Sequence, residues 1–213
     1  MLKHFFLIAR LYFVFLFFGL SSLPQHVGAE TCIDVQDTSG IPTPVYIDSD
    51  GSLYMLEPAF EDYSYMLYDA CFAWDIPLES GCSIYPMMGA INRNALATTC
   101  NGNKIIIYDR RLSPNLGYIG AQAVIAHELG HHICGHLGAS LISNHQSELE
   151  ADRFAGATLR LMGFSRESAG RYANILSDHA TPTHPSRLER LAALRAGWDN
   201  PYRDNVCQNF AGN

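Results

Sequence analysis

The spacing of apolar positions changes repeatedly along the chain, and each change marks an element. Phe5–Leu20 is an almost unbroken run of Phe, Leu, Ile and Val. Glu30–Gly51 is rich in Pro, Gly, Asp and Thr and reads as irregular, with a short strand at Val45-Tyr46-Ile47. Between Leu56 and Trp74, the residues Phe60, Tyr63, Met66, Leu67 and Ala70 recur at helical spacing, which predicts a helix with its Met and aromatic stripe in the core. Pro77–Gly89 is expected to be a loop, with Tyr85-Pro86-Met87 extended. A β-hairpin follows: Asn94–Thr99 and Lys104–Tyr108 are strands, and Asn101-Gly102-Asn103 is the turn between them. From Tyr118 onward Ile119, Ala123, Val124, Ile125 and Ala126 leave no polar stripe, as in a helix buried on every side. Gly138–His145 reads as a linker, Ser147–Met162 as a helix ended by Gly163, and Arg166–Leu176 as a helix capped by Ser165. After a loop at Asp178–Pro182, His184-Pro185 opens a last helix running to about Ala196. The expected class is α+β, mainly helical, with a small β-hairpin or sheet before the central helix.

Composition changes the picture at the amino terminus. Lys3 and Arg10 precede or interrupt the apolar run, and Val27-Gly28-Ala29 provides a small-residue cleavage site, so residues 1–29 are expected to be a signal peptide. A retained anchor is the alternative that the apolar length allows; Arg10 and the cleavage site favour removal. Residues 30–213 then suit a single domain, with its core at about 92–196, in a secreted or periplasmic setting. Losing Lys3 and Arg10 takes the formal charge from −7 to −9, which argues against nucleic acid or an anionic membrane as partner. No second long apolar run follows, so no stable membrane insertion is expected after cleavage. The even set Cys32, Cys71, Cys82, Cys100, Cys134 and Cys207 suggests disulfides in an exported chain, without selecting a pairing. Cys134 shares the helix face of His127; a disulfide or buried thiol suits it better than a place on a metal.

The candidate chemistry lies at His127-Glu128-Leu129-Gly130-His131, a HExxH motif. Residues four apart on a helix are vertical neighbours, so His127 and His131 can reach one Zn2+ ion. Glu128 lies about 100° round from His127, placed to act as general base on a water rather than as a ligand. A catalytic zinc usually takes a third protein ligand. The metzincin pattern would need Gly at 134 and His at 137, where this chain has Cys134 and Leu137. His136 would point about 180° from His127 on a continuous helix, which makes it a poor ligand. Glu148 and Asp152 are four apart on the next helix: one can bind zinc while the other accepts the Nδ1–H of a ligand histidine. Glu150, about 200° from Glu148, would face away.

Several segments stand together in a known order. The HExxH motif, Glu148-Leu149-Glu150-Ala151-Asp152-Arg153-Phe154-Ala155, His184-Pro185 with Arg190, and Asn94-Ala95-Leu96-Ala97 before an Ile-rich strand resemble the HtpX/BepA/CAAX prenyl endopeptidase family of gluzincin metalloproteases. The resemblance covers about residues 92–192. It implies a zincin-type fold, zinc on His127, His131 and Glu148, Glu128 as base, Asp152 behind the ligands, and a polypeptide substrate. His184 or Arg190 is expected to donate to the oxyanion; by likeness to the BepA-like members, His184 can instead cover the zinc and hold the enzyme at rest. Integral-membrane members have several spanning helices and BepA-like members a helical-repeat domain, so this chain is expected to be a minimal exported catalytic domain. The hairpin edge offers backbone groups to an extended peptide. Two other classes fit less well: a binding or chaperone module with latent activity, and a structural zinc domain, which would have no use for Glu128.

Overall fold

The computed structural model describes residues 31–36, 42–48, 50–137 and 144–210. The expected signal peptide and most of the expected linker at 138–145 lie outside the described residues. Strands β1 (Thr31–Gln36), β2 (Pro42–Ile47) and β3 (Leu53–Met55) form an antiparallel sheet. The strand at Val45–Ile47 was legible. Its partner β1 corrects the reading of an irregular start, because Cys32, Ile33, Asp34 and Val35 carry no clean polar–apolar alternation to announce a strand.

A second sheet has the order β4-β5-β7-β6, with β4 at Glu57–Pro58, β5 at Ile84–Met88, β6 at Ala95–Cys100 and β7 at Asn103–Tyr108. The hairpin β6–β7 appears where expected, and the turn residues Asn101 and Gly102 both take positive φ (49° and 80°), the backbone that a two-residue hairpin turn requires. The expected loop at Pro77–Gly89 contains a strand instead: Ile84–Met88 runs parallel to β7, with Pro86 inside it. A proline argues against an interior strand only where its missing N–H is needed, and the covering strand β4 is two residues long.

Helix α1 (Glu61–Ala73) buries Tyr63, Met66, Leu67 and Ala70, the predicted stripe. Helix α2 (Ser113–Ile133) is broken at Gly117 (φ 62°), and its long second part is buried almost throughout. It lies between the second sheet and helix α3 (Asn144–Leu161). His132 ties it to the sheet, its Nε2 lying 2.9 Å from the Ile105 carbonyl; burial lowers that imidazole to a pKa of about 4, so it donates as a neutral ring. Ser165 caps only a short α4 (Arg166–Ala169), and Gly170–Ile175 tightens into a 3₁₀ turn. The last long helix, α5 (Arg187–Asp199), starts after Pro185 rather than with it: Ser186 and Glu189 form a capping box. A short α6 (Arg203–Val206) follows.

Helices α3 and α5 make the closest helix pair. A Cβ on Gly156 would strike the Leu194 carbonyl, and one on Gly197 would strike the Arg153 carbonyl, so the two backbones touch where these glycines face each other. Three disulfides, Cys32–Cys100, Cys71–Cys82 and Cys134–Cys207, pair all six cysteines, as suits a chain kept in an oxidising compartment. Among the described residues no helix is long and apolar enough to cross a membrane.

Candidate metal centre

His127 and His131 project from one face of α2, and α3 crosses that face closely because Gly130 leaves room for Ala151 and Phe154. A Cβ at Gly130 would sit 3.1 Å from the Ala151 Cα and from the Phe154 Cβ. The crossing brings Glu148 to both histidines: Oε2 lies 3.3 Å from His127 Nε2, and Oε1 lies 3.4 Å from His131 Nε2. The two Nε2 atoms are 3.1 Å apart. Asp152, one turn beyond Glu148 and fully buried, accepts from His127 Nδ1 at 2.9 Å. The pairing of Glu148 with Asp152 on one face is therefore as the helical phase predicts.

The Asp152 carboxylate, an acceptor only, sets the hydrogen of His127 on Nδ1 when that ring is neutral. With His127 Nδ1 directed at Asp152 and His131 Nδ1 directed at His136, both Nε2 atoms converge on the Glu148 carboxylate. Glu148 Oε2 is buried and makes no well-aligned hydrogen bond, although three nitrogens approach it. Three such groups facing one point can hold a cation between them. Donors held 2.0–2.1 Å from one tetrahedral ion stand about 3.3 Å apart, close to the separation of the two Nε2 atoms and of each from its nearer Glu148 oxygen. His127, His131 and Glu148 thus form a group that can hold a metal ion.

The electrostatics agree with the geometry. Burial alone would lower the His127 pKa, but the Asp152 and Glu148 carboxylates outweigh it and raise it to about 10. Burial would raise Glu148, yet the imidazoles of His127 and His131 close beside it hold it well below the ordinary carboxylate range. Arg190 from α5 opposes the rise at His127 in part. Its guanidinium donates to Asp152 through Nε at 2.8 Å and a terminal nitrogen at 3.0 Å, and also to the Tyr172 hydroxyl.

Comparison with protein-family models, curated proteins and solved structures finds no match. The site is accordingly read from its own geometry. Glu128 stands beside the triangle without joining it, its Oε2 accepting the Ala97 N–H at 2.7 Å. Ala97 belongs to β6, the edge strand of its sheet, and among the described residues no strand pairs with the outer side of β6. Residues 95–97 of that edge, with Asn94 just before it, line a cavity of about 550 Å³ that the triangle also lines. Ile175, Leu176 and His184 line it as well. His184 is half-exposed and is not one of the converging donors: its Nε2 is 3.5 Å from Glu148 Oε2, and its Nδ1 bonds the Thr183 hydroxyl.

Three participants escaped the sequence reading. Tyr172 sits on a 3₁₀ turn, where periodicity carries little information. His136 was placed on a continuing helix, but α2 ends at Ile133 and Gly135 takes φ 73°. The His136 N–H then bonds the His131 carbonyl at 2.9 Å, the long-range bond of a Schellman turn, and the ring folds back under His131. Glu150 does turn away from Glu148, but it is fully buried against His136 rather than solvated. The Gly at 135 was the available signal, since Gly just past an apolar helix marks its end.

Proposed function

We propose that this chain is an exported zinc-dependent endopeptidase acting on unfolded or misassembled polypeptides, as its resemblance to the HtpX/BepA/CAAX prenyl endopeptidase family implies. The observation that carries the proposal is the triangle of His127, His131 and Glu148 with Glu128 beside it, hydrogen-bonded to the edge strand. His127, His131 and Glu148 would hold the zinc, which would supply Lewis acidity toward a substrate carbonyl and a water molecule. Glu128 takes the proton of the attacking water and returns it to the leaving amine. The Ala97 amide fixes that carboxylate in place, and the open side of β6 receives the substrate as an added strand. Only an extended segment can pair with an edge in this way, which favours unfolded chains over folded ones.

Of the two expected oxyanion donors, Arg190 is committed to Asp152 and Tyr172 and is read as a positioning residue that holds Asp152 on His127. That leaves His184 on the cavity wall. A latent enzyme, or a binding module of the same fold, is the second reading, favoured by His184 resting against Glu148 at 3.5 Å. The test of the main proposal is Glu128→Gln. This variant should keep about one zinc per chain and lose casein hydrolysis, because it removes the base and no ligand. Undiminished hydrolysis by the variant would end the proposal. His184→Ala, compared with wild type on one unstructured substrate, should raise turnover if the side chain covers the site at rest. A fall of about 10²–10³-fold would instead make His184 the oxyanion donor.

A further inference from the structure

Both ligand histidines need a partner at Nδ1, and the two partners differ in kind. His127 has the direct carboxylate of Asp152. His131 has another imidazole: His136 Nδ1 lies 3.0 Å from His131 Nδ1, and His136 Nε2 lies 3.2 Å from Glu150 Oε2. Glu150 in turn accepts from Gln146 Nε2 at 3.1 Å and lies 3.9 Å from Arg153. His136 and Glu150 are both buried. A buried carboxylate and a buried imidazole are costly to retain in a core, and nothing in the proposed hydrolytic step uses them.

We propose that His136 and Glu150 form a relay that positions His131 for the metal, Glu150 orienting His136 and His136 accepting the Nδ1–H of His131. The inference rests on the metal reading of the site and adds the residues that hold its second imidazole. Hydrogen-bond direction leaves one consistent arrangement. A ligand His131 presents the Nε2 lone pair to the metal, so its Nδ1 carries the hydrogen and must donate. His136 Nδ1 must then accept, which places the His136 hydrogen on Nε2, facing an acceptor-only carboxylate. Glu150 is the group that selects this tautomer. The backbone supports the same geometry: the Gly135 turn returns His136 beneath His131, and the Cys134–Cys207 disulfide anchors the residue before that turn.

The test is metal affinity rather than turnover. Zinc binding to the oxidised chain is measured by competition with a chromophoric chelator, and cobalt is bound in parallel for its visible spectrum. His136→Leu should weaken zinc by about 10–100-fold and alter the cobalt spectrum, since a ligand histidine loses its orienting partner. His136→Gln should restore most of the affinity, because its amide oxygen can accept from His131 while its NH₂ donates to Glu150. Equal affinity in His136→Leu and wild type, or a His136→Gln no better than His136→Leu, would overturn the relay. If His136→Leu does not fold, Glu150→Gln serves: a neutral amide accepts about half as strongly as a carboxylate, so affinity should fall less steeply but measurably. Unchanged affinity there also overturns the proposal. Failure of the underlying metal reading looks different: wild type itself would bind no zinc, or would bind it undiminished after His131→Ala, and the relay would fall with it.

Discussion

Asp109 ends β7 with its carboxylate turned back on the chain. It accepts from the Arg93 N–H at 2.8 Å, the Arg111 N–H at 3.0 Å and the Arg111 side chain at 2.9 Å. Hydrogen bonding from Arg111, the largest influence, brings its pKa down to about 2 despite burial. The folded value lies below the unfolded one, so the stabilisation is complete above about pH 4 and is lost as pH falls towards 2. Asp109→Asn should therefore lower stability at pH 7 by about 1–2 kcal/mol. Urea midpoints of variant and wild type should converge between pH 4 and pH 2. A constant gap over that range would show that the charge is not its source. Asp109 also holds Arg93, a residue of positive φ (58°) that lines the cavity, so the cavity wall is tied to the end of β7. Single residues of this kind were hard to read from sequence. The HExxH residues announce themselves by spacing on one helix, whereas Asp109 and Arg93 meet across sixteen positions and His136 and Glu150 across fourteen.

At the scale of elements, the site depends on how closely three helices approach. Gly130 admits α3 to α2, and Gly156 with Gly197 admits α5 to α3. The second contact sets where Arg190 meets Asp152, two turns before Gly197. Gly197→Ala places its methyl group against the Arg153 carbonyl, which is backbone and cannot turn aside. The expected cost is about 1–3 kcal/mol or more, read as a lowered thermal midpoint. A midpoint equal to wild type would mean that the helices part without loss. The phase of α3 was legible because Glu148 and Asp152 are four apart, and the hairpin was legible from its turn. Helix ends were not: α2 stops short of His136, α4 gives way to a 3₁₀ turn, and α5 waits for Ser186. Periodicity reports a face, but a cap is a local contest between side chain and backbone. The parallel strand β5 was hidden for another reason, since its partner β7 lies across a long excursion through β6.

For the molecule as a whole, the two core clusters correspond roughly to the sheets and to the helical body. The smaller cluster gathers Tyr46, Leu56, Ile105 and Ile107, while the larger runs from α1 to Cys207. The α+β class could be read from the sequence, and so could disulfide bonding, but not the pairing. That pairing has a consequence for how the chain is made. Cys71–Cys82 closes inside the loop of Cys32–Cys100, and Cys134–Cys207 closes a separate loop downstream, so no bond straddles another. In a chain that emerges amino terminus first, both early crosslinks can form before α2 has appeared. Cys32 must wait past Cys71 and Cys82 for its mate, whereas Cys134 and Cys207 are the last two cysteines and have no rival once the earlier bonds are closed. The last crosslink, beside the histidines, must await the tail, so the closing of α2 onto the carboxy-terminal segment is the final covalent step.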